Sequence, residues 1–233
     1  MRWGIFWRNL SVSSPPFLLV GFLLLAINTA RAEHVITFGK PLPVKWFEGP
    51  SESRVLPLKV RALYVDGRVK EFTIGDAHDV TERLFVVRRG FRLNDLLPAD
   101  ERKVPDWRWQ RGGWILVDRS TGHISQLKLP DFDPFYSVVS WYRDYAAYCG
   151  LSEDGGKVYA VVAELGIKKP VVRKDLGAAA QSDVPDSECP APVWQRQPPR
   201  VTFTPRTGPK LSFTVRGHAA GLLSEEAAEQ ESK

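Results

Sequence analysis

The chain has 233 residues, with 18 glycines, 18 prolines and a formal charge of +5. Three of its basic residues (Arg2, Arg8 and Arg31) lie in the first 32 positions, and Glu225, Glu226, Glu229 and Glu231 face only Lys233 at the other end, so the body between is weakly basic. No Arg/Lys cluster is dense enough to track a phosphate backbone, which excludes nucleic acid as the partner a high pI would otherwise suggest.

Arg2 and Arg8 precede an apolar run from Phe17 to Ile27, and Ala30-Arg31-Ala32 has the small-x-small form of a cleavage site. The run is shorter than the ~20 residues a membrane helix needs. A signal peptide over 1–32 is expected, with an uncleaved N-terminal anchor as the alternative, and no membrane span after its removal. No Cys follows the run to carry a lipid. The protein is therefore expected in the periplasm or outside the cell.

After the signal, Val35-Ile36-Thr37-Phe38 and Val44-Lys45-Trp46-Phe47 are short β-prone runs. Leu56–Val65 and Arg68–Ile74 flank Asp66-Gly67, the pair favoured where both turn positions need positive φ. Gly75 to Asp79 is expected as a loop or single helical turn, with Asp76 as its cap. Leu84 to Leu93 is a strand with Gly90 as a bulge. The segment 94–106 carries two prolines and mixed charges and is expected as a surface loop.

Trp107-Arg108-Trp109-Gln110-Arg111 alternates as a half-buried strand, interrupted by Gly112-Gly113 before the apolar strand Trp114–Val117. Asp118 to Gly122 turns the chain, and His123 to Leu129 returns it. Trp141–Leu151 and Lys157–Leu165 then flank Asp154-Gly155. Both runs are apolar at consecutive positions, so this hairpin is expected to have both faces covered at the centre of the fold. Lys168–Lys174 suits an edge strand because of Pro170, and 177–192 an irregular segment. Val201/Phe203 and Leu211/Phe213/Val215 form the inner face of a last hairpin.

The expected fold is all-β: antiparallel hairpins in a sandwich or in blade-like sheets, without a complete propeller. The expected domains are the signal over 1–32, a β-rich domain over 33–223 (one body, or two subdomains meeting near 95–106), and a disordered acidic tail over 224–233.

Asp118-x-x-Thr121-Gly122 resembles the strand-turn-strand element of bacterial propeller blades. Ser152-Glu153-Asp154-Gly155-Gly156-Lys157-Val158-Tyr159 is similar to the Ser-Pro-Asp-Gly blade element of TolB-like repeats, with Glu153 where that family has Pro. The likeness covers two blades at most, which implies blade-like sheets. The whole chain also resembles uncharacterised exported bacterial proteins, a likeness that implies no activity.

Cys149 and Cys189 are the two cysteines. An oxidising compartment closes such a pair, and the bridge would pin the Pro-rich segment onto the central hairpin; two buried thiols are the alternative. Asp76, His78 and Asp79 place an imidazole between carboxylates, the make-up of a metal site or general base, although a loop capping a short helical turn, with Asp76 at the cap, is the favoured reading because no second cluster partners them. Asp131, Asp133 and Asp144 could bind calcium, but turn chemistry accounts for the first two. Trp107 and Trp109 share a strand face and are the best candidate for a stacking platform for a sugar or peptide, with core packing as the alternative. Arg143-Asp144 interrupts an apolar run, either where the strand enters the core or where a polar ligand meets the sheet edge. No nucleophile, phosphate-loop or zinc-protease motif occurs, so no catalytic residue, cofactor or metal is assigned. The expected function is a non-catalytic binding module of the cell envelope, its partner an envelope protein or a glycan. The alternatives are a hydrolase or metal-dependent enzyme using Asp76, His78 and Asp79, and a structural accessory subunit that lends a sheet edge.

Overall fold

In the computed structural model, the described residues are 34–47, 55–94, 104, 107–179, 189–206, 209–217 and 219–223. The expected signal (1–32), the 95–106 junction (save Val104) and the expected disordered tail (224–233) lie outside them. All described elements are β-strands: β1 (Ile36–Phe38), β2 (Leu42–Phe47), β3 (Val55–Val65), β4 (Arg68–Asp79), β5 (Leu84–Asn94), β6 (Trp107–Asp118), β7 (Ile124–Leu127), β8 (Ser140–Tyr142), β9 (Tyr145–Leu151), β10 (Lys157–Glu164), β11 (Val172–Ala178), β12 (Val193–Gln195), β13 (Arg200–Phe203), β14 (Leu211–Arg216) and β15 (Ala219–Leu223). No helix among them is long and apolar enough to cross a membrane.

The strands form three sheets. In the first, β2 through β6 pair in succession, and one parallel bridge between Trp46 and Trp109 joins β2 to β6, so the pairing runs in a ring. β1 joins β3 and β7 joins β6 at its margins. The Asp66-Gly67 turn forms as its composition demands, with φ of 52° and 74°. Two buried clusters line this sheet. Leu63, Phe85, Val87, Ile115 and Val117 make one; Trp46, Leu58, Val60 and Ile74 make the other.

The second and third sheets are four-stranded antiparallel meanders, ordered β11-β10-β9-β8 and β12-β13-β14-β15. They share one core. Ala147, Cys149, Val158, Ala160 and Val162 of the second meet Val201, Phe203, Phe213 and Val215 of the third. The other face of β9 and β10 carries Ala146, Tyr148, Tyr159, Val161 and Ala163 against Leu129, Phe132, Val139 and Trp141. Both faces of the central hairpin are therefore covered, as its consecutive apolar residues require. The Cys149–Cys189 disulfide links β9 to the segment leading into β12, with Cα atoms 6.0 Å apart.

The connector from Pro130 to Pro134 closes the outer face by specific bonds. Tyr148 donates its hydroxyl to the Pro130 carbonyl at 2.5 Å. The Asp131 carboxylate accepts from Arg173 at 2.7 and 3.2 Å, while that guanidinium lies 3.7 Å above the Tyr159 ring. Gly150 is required here: a Cβ would stand 2.4 Å from the Asp131 carbonyl oxygen.

The structure corrects four local expectations. Gly75 to Asp79 is strand, not a turn. β4 runs through it because His78 and Asp79 pair with Val86 and Phe85 after a register slip, with Gly75 at φ 70° in the slipped stretch. Gly112 and Gly113 do not break β6; Gly112 lets that strand pass close to β5, where a Cβ would meet the Arg89 carbonyl oxygen at 3.0 Å. Trp141 to Leu151 is not one strand, since Arg143 and Asp144 turn β8 into β9 between Tyr142 and Tyr145. The edge strand after Pro170 begins at Val172 and continues to Ala178, so Gly177 belongs to it rather than to an irregular segment.

Candidate functional site

A cleft of about 1010 Å³ opens where the end of β4, the strand β8 and the segment from Ala191 to Pro199 meet. It gathers residues that are distant in sequence. His78 and Asp79 come from β4, Trp141, Tyr142 and Arg143 from β8 and its turn, and Trp194 and Arg196 from β12 and the loop after it. The disulfide at Cys189 anchors the chain just ahead of this last wall.

Each wall is held by specific bonds. His78 Nε2 lies 2.7 Å from the Arg143 carbonyl oxygen. A carbonyl only accepts, so Nε2 carries the proton. The imidazole also stacks on Trp141, with centroids 5.8 Å apart, and Trp141 meets Trp114 edge to face at 5.2 Å. The β8–β9 turn, with Arg143 at φ 53°, is thus braced from behind by β4. Trp194 donates its indole N–H to the Ser140 carbonyl at 3.1 Å and stacks on Tyr142 at 5.3 Å. Tyr142 donates its hydroxyl to the Arg196 carbonyl at 3.4 Å. Nearby, Tyr145 donates to the Gly217 carbonyl at 2.8 Å; burial, then the charges of Glu164 and Asp144, raise its pKa.

The charges around the cleft are unequal in their engagement. Asp79 accepts from Arg119 at 2.6 Å. Arg143 lies 5.4 Å over the Tyr142 ring, outside salt-bridge contact with any described carboxylate, and Arg196 is likewise without one.

The sequence-derived candidates separate. His78, Asp79 and Arg143 line the cleft, although nothing in their spacing links positions 78 and 143. Asp76 is fully exposed and 4.0 Å from Arg61. With Asp79 committed to Arg119, the three residues do not converge on one point, and no group of three or more metal-ligating side chains occurs among the described residues. Asp144 sits in the β8–β9 turn beside Arg143 but does not line the cleft; its backbone carbonyl accepts from Leu165 at 2.8 Å. Asp131 is held by Arg173, and Asp133 accepts from the backbone N–H groups of Phe135 and Tyr136 at 2.8 and 2.7 Å, which is turn chemistry.

Trp107 and Trp109 lie apart from the cleft, on β6. Trp107 is 49% exposed, with Arg92 4.8 Å over its ring. Trp109 meets Phe72 edge to face at 5.1 Å and packs on the Trp46 cluster, so it serves the interior more than a platform. Sequence reasoning missed Trp194 and Arg196 as site residues. The signal available was an aromatic residue shortly after a disulfide-bonded cysteine, bracketed by Pro192 and Pro198-Pro199.

Comparison with family models, with curated proteins and with solved structures finds no match.

Proposed function

We propose that the protein is exported and acts as a non-catalytic binding module of the cell envelope, with the cleft beside β8 and β12 as its ligand site. The observation that carries this is the cleft itself: three aromatic side chains and two arginines with no carboxylate partner among the described residues line one concavity, where His78 holds the Arg143 turn. Pre-formed concave sites with an aromatic lining and a few fixed polar groups are where proteins bind small ligands. The disulfide supports an oxidising compartment, in line with the signal-like N-terminal segment.

His78 supports a bracing role more than a catalytic one. Its proton is committed to a backbone carbonyl, and the one neighbouring carboxylate in the cleft is neutralised by Arg119. The test is a glycan and peptide array probed with purified protein and with Trp194→Ala and Arg196→Gln variants. A ligand retained by the wild type and lost by both folded variants is the expected result. Ligands bound equally by all three proteins would move the site elsewhere.

A further inference from the structure

We infer that the ligand of the cleft is an acidic oligosaccharide, its carboxylates held by Arg143 and Arg196 and its rings laid against Tyr142 and Trp194. This rests on the cleft being the ligand site.

Charge selects the sign of the ligand. The two guanidiniums lining the opening have no carboxylate partner among the described residues, and the acidic side chain of the lining, Asp79, is already bound by Arg119 at 2.6 Å. The cleft therefore carries net positive charge that an anionic ligand would neutralise, and paired charges across a recognition surface set specificity. Arginine also presents a planar fork that fits a carboxylate. The Arg143 turn is fixed before any ligand arrives, because His78 bonds its carbonyl at 2.7 Å. Less ordering then remains to oppose binding.

Shape selects the class. At about 1010 Å³ the cleft is at the top of the ~300–1,000 Å³ range of small-ligand sites, room for several rings in a row. A peptide would bind best by adding a strand to a free sheet edge. The edges here are β8 and β12, three residues each, and the Ser140 carbonyl of β8 is already taken by Trp194. Such short edges offer a peptide backbone few ladder bonds. Tyr142 and Trp194, stacked on each other at 5.3 Å and both lining the opening, form one aromatic wall beside the two arginines, which suits sugar rings that carry acid groups.

The test is calorimetric titration of the purified protein with three probes: a hexasaccharide of galacturonate, a neutral maltohexaose, and hexaglutamate. The galacturonate probe is expected to bind most tightly, and to weaken as salt rises. Arg196→Gln and Arg143→Asn should each weaken it about tenfold; Asn suits the positive φ at 143, and both residues are exposed. Equal binding of maltohexaose would overturn the acidic assignment while leaving the cleft as the site. Tighter binding of hexaglutamate would overturn the saccharide assignment. Binding of none of the three would overturn this inference, and the array experiment with Trp194→Ala would still decide whether the cleft binds anything.

Discussion

Two hairpins in this molecule are announced by the same dipeptide and live in different surroundings. β3–β4 turns at Asp66-Gly67 and β9–β10 at Asp154-Gly155. In β4 only Thr73 and Ile74 are buried and the ends of the strand are exposed, whereas β9 and β10 are buried at nearly every position. The turn chemistry is local and says only that a hairpin forms. The run of residues on either side says how many layers cover it. β9–β10 is apolar without alternation because the β12–β15 sheet packs on one face and the Leu129–Trp141 segment on the other.

That difference can be broken most forcefully at the disulfide. Replacing Cys149 and Cys189 together by Ala frees a 40-residue loop and should cost about 3–4 kcal/mol, seen as a lower denaturant midpoint. It should also weaken ligand binding, because the wall carrying Trp194 follows Cys189 directly. An unchanged midpoint would show that the sandwich holds without its staple.

Gly150→Ala probes the covered outer face of β9. The new methyl collides with the Asp131 carbonyl oxygen, and overpacking of this kind costs about 3 kcal/mol. In the half-covered hairpin, Gly67→Ala meets no atom within 4 Å and suffers only its φ of 74°, about 1 kcal/mol. Chemical denaturation of both variants checks the ordering; equal losses would dissolve the contrast between the hairpins.

The smallest effect expected is at Asp66, in the turn of β3–β4. Hydrogen bonds from His34 and from the Val35 N–H hold its carboxyl below the usual range, against slight desolvation. A depressed carboxyl stabilises the folded state above its unfolded pKa of about 3.9, and that stabilisation disappears as pH falls through the lower folded value. Asp66→Asn should therefore lower the melting temperature slightly at pH 6 and not at all near pH 2. A difference that persisted at low pH would assign the loss to the turn backbone instead. Since the pair is well exposed, solvent screening keeps the shift small.

The sequence carried the strands well because their signals are local. Asp66-Gly67, the alternation of Val201/Phe203 with Phe213/Val215, and the continuous apolar residues of β9 and β10 each name an element without reference to the rest. Elements set by pairing were harder. Gly75–Asp79 has turn composition and is strand because β5 offers partners; Gly112-Gly113 looks like a break, yet β6 runs through it with Gly112 in close approach to β5. Val193–Gln195 is three residues long, and only its pairing with β13 makes it a strand. The site was legible in pieces. His78 and Arg143 were each visible as polar residues in unusual company, but the hydrogen bond between them spans 65 positions and depends on how two sheets meet. Trp107 and Trp109 show the reverse: their pattern suggested a platform, and Phe72 and the Trp46 cluster take up Trp109.

The most direct measurement is amide hydrogen exchange of the purified protein with and without the galacturonate hexasaccharide. The account predicts slowed exchange at His78–Val80, Ser140–Arg143 and Val193–Gln197, with Trp107–Gln110 unchanged. Protection at Trp107–Gln110, with none at the other three stretches, would contradict it.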